Sequence, residues 1–174
     1  MIQSKNLLLK KLKIIDVTEF YVEWLNNPNT NRFLEVRHYK HTINSVRKFV
    51  LEMQNSKNDY LFGIFLRNKT HIGNIKIGPI NFFHKIAEIS YFIGDQKYLR
   101  KGYASEALIA IEDFAFKKLK LFKLSAGVYS NNIAGIKILK KVGYLQEGKR
   151  LKHYIYQKKR IDIIYFGKIN NRKI

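Results

Sequence analysis

The chain has 174 residues, with 33 lysines and arginines against 13 aspartates and glutamates, which gives a formal charge of +20. Hydrophobic residues make up 46% of it, including 12 phenylalanines and 11 tyrosines. This length and composition predict a single folded domain over residues 1–174 and exclude a disordered basic tail, which would contain few aromatic residues.

The absence of cysteine excludes thiolate nucleophiles, thiolate metal ligands and disulfides. Lys10, Lys11 and Lys13 interrupt the early leucines, and no apolar stretch approaches the ~20 residues of a membrane span. We therefore expect a cytoplasmic protein with no membrane partner. The charge indicates either a polyanionic partner or lysines spread over a solvated surface, and the lack of long like-charge blocks favours the second.

The first half of the chain alternates strand and helix patterns. A strand is predicted at Asn6–Leu12, followed by a helix that Asp16 caps and that ends before Pro28. Thr42 is predicted to cap a second helix. The period then changes to that of strands, which are predicted at Tyr60–Arg67, His71–Ile77 and Ile86–Ile93.

The second half returns to helical spacing at Ala104, Ala107, Leu108, Ile111 and Ala115. A fifth strand is predicted at Lys123–Tyr129. Asn132 is predicted to cap a short helix with Ile133, Ile136 and Leu139 facing inward and Gly143 at its end, and Lys152–Gln157 with Ile161–Ile169 form a predicted hairpin. This order predicts an α/β fold with a mixed sheet.

Several catalytic machineries are excluded by their missing motifs. The sequence has no Gly-x-Ser-x-Gly nucleophile turn, no phosphate-binding Walker A loop and no His-Glu-x-x-His zinc motif. Among the histidines, only His38 and His41 are near neighbours, and no third ligand is evident beside them. We therefore expect no metal.

The segment before the third predicted helix has the features of an anion site. Arg100, Lys101, Gly102, Tyr103 and Ala104 form a basic, small-residue loop that leads into the helix. The first N–H groups of a helix and the positive end of its dipole point the same way, which suits a phosphate. Gly102 permits close backbone approach. An ordinary strand–helix connection with a solvated Arg-Lys pair is an equally open interpretation at this point.

The same loop resembles the pyrophosphate loop of the GNAT superfamily of acetyl-CoA-dependent N-acetyltransferases, (Gln/Arg)-x-x-Gly-x-(Gly/Ala). Gly102 and Ala104 match that pattern, whereas Leu99 departs from it as in the RimJ/RimL-like branch. Further matches follow the branch in order along the chain: Trp24–Pro28, Ala87–Tyr91, Asn132–Ala134 with Lys141–Tyr144 and Glu147-Gly148, and Ile161–Gly167.

This resemblance implies a single-domain GNAT-like fold, with a mixed, mostly antiparallel sheet of about seven strands flanked by about four helices. The sheet would be splayed between the fourth and fifth predicted strands, with acetyl-CoA in the splay. The pantetheine amides would pair with backbone at Phe92 and Ile93, and the pyrophosphate would bind N–H groups from Arg100 through Lys101, Gly102 and Tyr103 to Ala104. Asn132 would contact the pantetheine arm.

Direct acetyl transfer needs a neutral amine, a stabilised oxyanion and a protonated leaving thiolate. Glu88 is the candidate base, which would take the amine proton through a water. The alternative is that Glu88 forms an ion pair at the edge of the sheet. Backbone N–H groups of its strand would polarise the thioester. Leu139 and Gly135 occupy positions where family members carry a tyrosine and a serine. Tyr129 is therefore the candidate acid. The alternatives are that water protonates the thiolate, that the thiolate leaves unprotonated, and that Tyr129 is only a core or rim aromatic.

The acceptor is expected over Asn29–Tyr39, where Glu35 could hold an ammonium and Arg37 a carboxylate or phosphate, with His38 beside them. A solvated linker is the alternative. The predicted function is acetyl transfer to a primary amine of a small molecule, with an amino sugar or nucleotide-linked amino sugar favoured, or of a protein N-terminus. The competing function is a basic ribosome- or nucleic-acid-associated module with a vestigial acetyl-CoA site. Nucleic acid is the less favoured partner, and a homodimer stays open.

Overall fold

A computed structural model describes residues 1–170, which form one eight-stranded sheet with helices against it. The strands are β1 (Ile2–Gln3), β2 (Leu7–Lys11), β3 (Tyr60–Leu66), β4 (His71–Asn81), β5 (Ile86–Ile93), β6 (Lys123–Tyr129), β7 (Leu145–Tyr156) and β8 (Lys159–Ile169). The α-helices are α1 (Glu19–Asn26), α2 (Pro28–Asn31), α3 (Ile43–Asn55), α4 (Tyr103–Lys117) and α5 (Ile133–Lys141). Short 3₁₀ turns lie at Ile14–Asp16, Glu35–His38 and Gln96–Tyr98.

The strand order across the sheet is β1-β2-β3-β4-β5-β6-β8-β7, and every neighbouring pair is antiparallel except β5 and β6. These two parallel strands pair only at Ile86–Lys123, Ala87–Leu124 and Glu88–Ser125. Beyond Glu88 they diverge. The mixed, mostly antiparallel sheet with this splay is confirmed, with one strand and one helix more than predicted, because β1 and the four-residue α2 are too short to show a period.

Two apolar cores lie on opposite faces of the sheet because successive strand residues point to opposite sides. Phe62 and Ile64 of β3 belong to the core under α4 and α5, whereas Leu61 belongs to the core under α1 and α3. The second core includes Tyr21 and Trp24. The cleft described below is lined by residues of both cores.

Two local predictions are wrong. Thr18, not Asp16, caps α1 through the N–H of Tyr21. The Asp16 carboxylate instead accepts from the N–H of Lys13 at 2.9 Å and closes a 3₁₀ turn ahead of the helix. Ile133 is 55% exposed rather than inward-facing, because it is the first residue of α5, where the helix has no preceding turn to cover it.

Several other boundaries agree with prediction, but β7 begins at Leu145, seven residues before its predicted start at Lys152, and β8 begins at Lys159, two residues early. The early part of β7 was missed because register irregularities at Gln146/Gly148 and Arg150/Tyr154 interrupt its alternation. Thr42 caps α3, Asn132 caps α5, and Gly143 follows α5 with φ +90. β4 runs past its predicted end at Ile77, with a register irregularity between Ile77 and Ile80. Among the described helices, none combines the length and apolar character that crossing a bilayer requires.

Candidate active site

The divergence of β5 and β6 opens a cleft of about 800 Å³. One wall is formed by β4 and β5, the other by β6 and the start of α5, and the segment from Phe33 to His41 borders it. Past the Glu88–Ser125 pair, β5 has no strand partner on its β6 side. Backbone groups of residues 89–93 that point to that side are therefore available to a ligand.

The loop that leads into α4 has the geometry of an anion site. Gly102 is the N-cap residue with φ +85, and a Cβ added to it would meet no atom within 4 Å. The N–H of Glu106 makes the first helical bond, to the Gly102 carbonyl at 3.0 Å. The N–H groups of Tyr103 and Ala104 precede it and have no helical acceptor. The open space before these donors fits a phosphate.

Exposed basic side chains surround this loop. Arg100, with φ +59, and Lys101 both lie in solvent just before Gly102. Lys101 also lies over the Tyr98 ring, with its Nζ 5.5 Å from the centroid. The two charges add to the positive end of the α4 dipole and further favour an anion.

The end of β5 presents its backbone to the cleft beside a rigid aromatic group. Phe92 lines the cleft and packs against Trp24, and Ile93 is buried. A Cβ on Gly94 would lie 2.1 Å from the Trp24 ring, so only glycine fits there. This packing fixes the path of the chain between β5 and the anion loop.

Asn132 lies where the second wall of the cleft turns into α5. Its Oδ1 accepts from the N–H of Gly135 at 3.0 Å, which leaves the amide Nδ2 as a donor on the cleft side. A Cβ on Gly135 would approach Nδ2 to 2.8 Å, so the glycine makes room for the cap. Leu139 is fully buried in the same wall and offers no proton.

Three predicted residues from separate segments meet at the acceptor end of the cleft. The Tyr129 hydroxyl donates to Glu35 Oε1 and accepts from Arg37 Nη1 at 2.7 Å. Arg37 Nη1 also contacts Glu35 Oε1 at 3.3 Å, and Nη2 donates to the Ile155 carbonyl at 3.0 Å. Arg37 therefore links the Glu35–His38 turn to β6 and β7.

Glu35, Tyr129 and Arg37 differ in how far their side chains are exposed to the cleft. Glu35 and Tyr129 line it, and the Glu35 side chain is 57% exposed. Arg37 lies behind them with its side chain 14% exposed, and its guanidinium is used within the chain. His38 Nε2 lies 3.9 Å from Glu35 Oε2.

Aromatic rings form a wall around this cluster. Phe33 and Tyr154 line the cleft, and the Tyr154 ring lies 5.1 Å from that of Tyr129. Phe33 stacks on Tyr156 at 5.5 Å. Burial, followed by the negative charge of Glu35, raises the pKa of Tyr154, so its hydroxyl stays protonated near neutral pH. The spacing of the sequence gave no signal for these rings, because they come from two distant segments.

Glu88 lies on the same face of β5 as Ser90 and Phe92, which both line the cleft. It is exposed, so burial imposes no requirement for a partner on it. Its charge reaches Tyr154, whose pKa it helps to raise after burial and Glu35. Glu88 itself is not among the residues that line the cleft.

A buried polar group in β4 was missed by the sequence prediction. Asn74 is 2% exposed and lines the cleft, and its Oδ1 lies 2.8 Å from His71 Nε2. Burial lowers the pKa of His71, so its ring stays neutral, while the Asn74 contact acts in the opposite direction. Burial raises the pKa of the neighbouring Tyr21, opposed by the Asn74 amide. The sequence did contain a signal for this group, because His71 and Asn74 are polar residues within the otherwise largely apolar first half of β4.

These features fit coenzyme A better than a metal. The open backbone before α4, the unpaired side of β5 and the Asn132 amide each provide hydrogen-bond donors of the kind that a phosphate and the pantetheine amides require. Within residues 1–170, no group of three or more His, Asp or Glu side chains has the arrangement of a metal site.

Comparison with known proteins agrees with this geometry. Residues 6–145 match the model of the acetyltransferase (GNAT) domain. The probable N-acetyltransferase YjcK of Bacillus subtilis is 29% identical over 159 residues, which cover 85% of each chain. YnaD of the same organism, named an uncharacterized N-acetyltransferase, is 29% identical over 150 residues and 84% of each chain.

Solved structures share the fold over nearly the whole chain. A GNAT-family acetyltransferase from Bacillus anthracis superimposes with a TM-score of 0.83 at 25% identity, covering 97% of both chains. The Vibrio cholerae spermidine N-acetyltransferase in complex with CoA and spermine gives a TM-score of 0.86 at 20% identity, covering 94% of this chain and 95% of that one. The matching domain model over residues 6–145, together with the splayed sheet and the open loop before α4, shows that the chain belongs to the GNAT family of N-acetyltransferases.

Proposed function

We propose that the whole chain acts as one acetyltransferase domain of the RimJ/RimL-like kind, which moves an acetyl group from acetyl-CoA to the amine of an amino sugar, with a nucleotide-linked amino sugar favoured. The observation that carries the acceptor class is the Glu35 carboxylate within a wall of aromatic rings. A protein N-terminus is the second acceptor of the same chemistry. The expected location is the cytoplasm.

Acetyl-CoA would be held by this chain's backbone. The pyrophosphate would bind at Gly102, Tyr103 and Ala104 with the charges of Arg100 and Lys101 beside it. Phe92 and Ile93 would pair with the pantetheine amides on the free side of β5, and Asn132 Nδ2 would donate to the arm. When bound, acetyl-CoA supplies an activated thioester. The protein's contribution is to position it and to polarise its carbonyl with backbone N–H groups.

Two residues are proposed to move protons. Glu88, which is exposed on the same side of β5 as Ser90 and Phe92, would take the amine proton through a water. Tyr129 lines the cleft, and its O–H donates a hydrogen bond to Glu35. Tyr129 would give this proton to the leaving thiolate and regain one from Glu35 or solvent. Leu139 supplies no acid, which leaves this role to Tyr129 or to solvent.

The acceptor end combines one charge with several rings. The Glu35 carboxylate would bind the ammonium of the acceptor before deprotonation, and Arg37 would hold Glu35 and Tyr129 in place rather than bind the acceptor itself. His38 would lie beside the carboxylate at the rim. Rings such as Phe33 and Tyr154 suit the apolar face of a sugar ring, because aromatic linings with few polar groups orient small ligands.

The charge around the cleft argues against a polyamine. Glu35 is the one acidic residue among the described lining residues, against Lys40 and Lys76, the second of which is paired with Asp59 at 2.8 Å. The formal charge of +20 adds a repulsive field for any polycation. An acceptor that carries phosphate, such as a sugar nucleotide, is attracted by the same field. The spermidine acetyltransferase therefore shares the fold but is not our model for the substrate.

The test is a thiol-release screen with acetyl-CoA against amino-sugar nucleotides, peptides with free N-termini, aminoglycosides and spermidine. We expect release with an amino-sugar nucleotide and little with spermidine. Glu35→Gln should lower thiol release with the amino-sugar nucleotide, because the acceptor ammonium loses its carboxylate partner, and Glu23→Gln, an exposed glutamate on α1, is the matched control. Preference for spermidine would contradict the acceptor class. Nucleic-acid binding without thiol release would support the competing module instead.

A further inference from the structure

An exposed aromatic and basic surface lies at the pole of the molecule opposite the cleft. β5 and β6 both run toward the cleft and begin at Ile86 and Lys123. The turn before β5 and the loop before β6 meet there, because the N–H of Phe122 donates to the Lys85 carbonyl at 2.6 Å. The eight residues of β5 hold this pole roughly 20 Å from the anion loop.

The apolar part of this surface is unusually exposed. Phe83 is 89% exposed and Phe82 is 51% exposed, both in the turn between β4 and β5. Phe122 and Ile86 beside them are 43% and 38% exposed. Single exposed apolar residues are common, but four on two segments that meet at the Phe122–Lys85 hydrogen bond, three of them phenylalanines, indicate a contact surface.

The charged part is entirely basic and unneutralised. Segments 82–86 and 117–123 contain no acidic residue, and within the described chain Lys85, Lys118 and Lys120 form no ion pair. The flanking Lys117 and Lys123 are paired with Asp113 at 2.7 Å and Glu147 at 2.7 Å. Three exposed lysines without an ion pair in the described chain thus lie on or beside the segments that carry the phenyl rings. We call these seven residues, Phe82, Phe83, Lys85, Ile86, Lys118, Lys120 and Phe122, the polar-end patch.

From this arrangement we propose that the polar-end patch docks the enzyme on an anionic lipid bilayer surface. Phenyl and aliphatic groups enter the boundary between headgroups and acyl chains, while the lysines remain at the level of the lipid phosphates. The cleft then faces away from the bilayer and stays open to its substrates. The expectation of no membrane partner considered only spanning segments, which this surface does not require.

Charge and shape favour a lipid bilayer over two other partners, a second copy of this chain and single-stranded nucleic acid. A symmetric contact with a second copy would bring the same lysines of both copies together, which is repulsive. Single-stranded nucleic acid stacks on aromatic platforms within a basic groove. Here the phenyl rings protrude from a turn, arginine is absent from both segments, and aliphatic Ile86 cannot stack on a base.

The experiment measures binding of the full chain to phosphatidylcholine vesicles with and without phosphatidylglycerol. We expect binding only to the anionic vesicles, weakening as salt is added. Replacing Lys85, Lys118 and Lys120 with Gln should lower the vesicle affinity about 100-fold, since each lysine near such a surface contributes about 1 kcal/mol. Phe82→Ser with Phe83→Ser should also weaken it, because the inserting groups are lost.

The matched control removes the same charge elsewhere, at Lys69, Lys152 and Lys158, which are exposed and lie toward the other pole. Its vesicle affinity should stay within a fewfold of wild type. Unchanged acetyl-CoA affinity shows that each variant is folded. Equal losses in both lysine variants, no vesicle binding by wild type, a stronger patch-dependent affinity for single-stranded RNA, or a dimer that the Phe82–Phe83 variant dissociates would each overturn the proposal. The outcome does not depend on the identity of the acceptor.

Discussion

Gly102→Val is expected to weaken acetyl-CoA binding more than it weakens the fold. The glycine has φ +85, which costs an L-residue about 1–2 kcal/mol of unfolding free energy. A Cβ there meets no protein atom within 4 Å, so little steric cost adds to this. The added atoms would occupy the open space before the N–H groups of α4. Losing the charge-assisted hydrogen bonds from these groups should cost about 2–3 kcal/mol of binding, or about 30- to 150-fold in Kd.

The assay is isothermal calorimetry with acetyl-CoA, combined with urea unfolding of the same variant. Gly143→Val is the control because Gly143 has nearly the same strained backbone, φ +90, but lies after α5, where a Cβ is 3.8 Å from Lys168. Both variants should lose similar stability, and only Gly102→Val should lose affinity. A folded Gly102→Val variant with wild-type affinity would refute the assignment of the pyrophosphate to this loop.

Four further variants test the rest of the site. Asn132→Ala should lose about 1 kcal/mol of stability and raise the KM for acetyl-CoA; lower stability with an unchanged KM would make Asn132 only a helix cap. Glu88→Gln should lower kcat by about 10²–10⁴-fold with little change in acetyl-CoA affinity, and retention of more than about a third of kcat would remove it as the base. Glu35→Gln should raise the KM for the amine acceptor at least about tenfold, the loss expected for a hydrogen bond to a charge, and equal effects on the KM for acetyl-CoA would contradict an acceptor role. Burial holds the pKa of His71 below its usual 6.5, so the stability that neutral His71 contributes is present above that pH and is lost as pH falls. His71→Gln should flatten this loss, by up to about 1.4 kcal/mol per pH unit in urea unfolding, and an unchanged slope would show that other groups cause it.

The predictable part of the fold is the part set by local pattern. Alternation defined β5 and β6 to the residue, and the caps Thr42 and Asn132 follow from side chains that can accept a nearby N–H. Asp16 misled because Thr18, two residues later, has the same capacity and starts the helix. Both Asp16 and Thr18 can cap a helix by their local chemistry. Where α1 begins is decided by the packing of its residues Tyr21 and Trp24 in the core.

The candidate site divides in the same way. The Gly102 loop is contiguous in sequence, so its small and basic residues were visible together. Glu35 and Tyr129 were predicted separately, and their hydrogen bond depends on a contact across 94 positions. The role of Arg37 changed for this reason: its sequence indicates a free cation, but the fold directs it to Tyr129 and the Ile155 carbonyl.

The brief pairing of β5 with β6 has a consequence for backbone amide exchange. Only three residue pairs join these strands, so residues 89–93 lie in the middle of an eight-stranded sheet and yet have one side like that of an edge strand. Their cleft-facing amides should exchange with solvent deuterium far faster than amides of β3 or β4, which are paired on both sides. Filling the gap with a pantetheine arm would give β5 a temporary neighbour, so the same amides should become the most strongly slowed by acetyl-CoA.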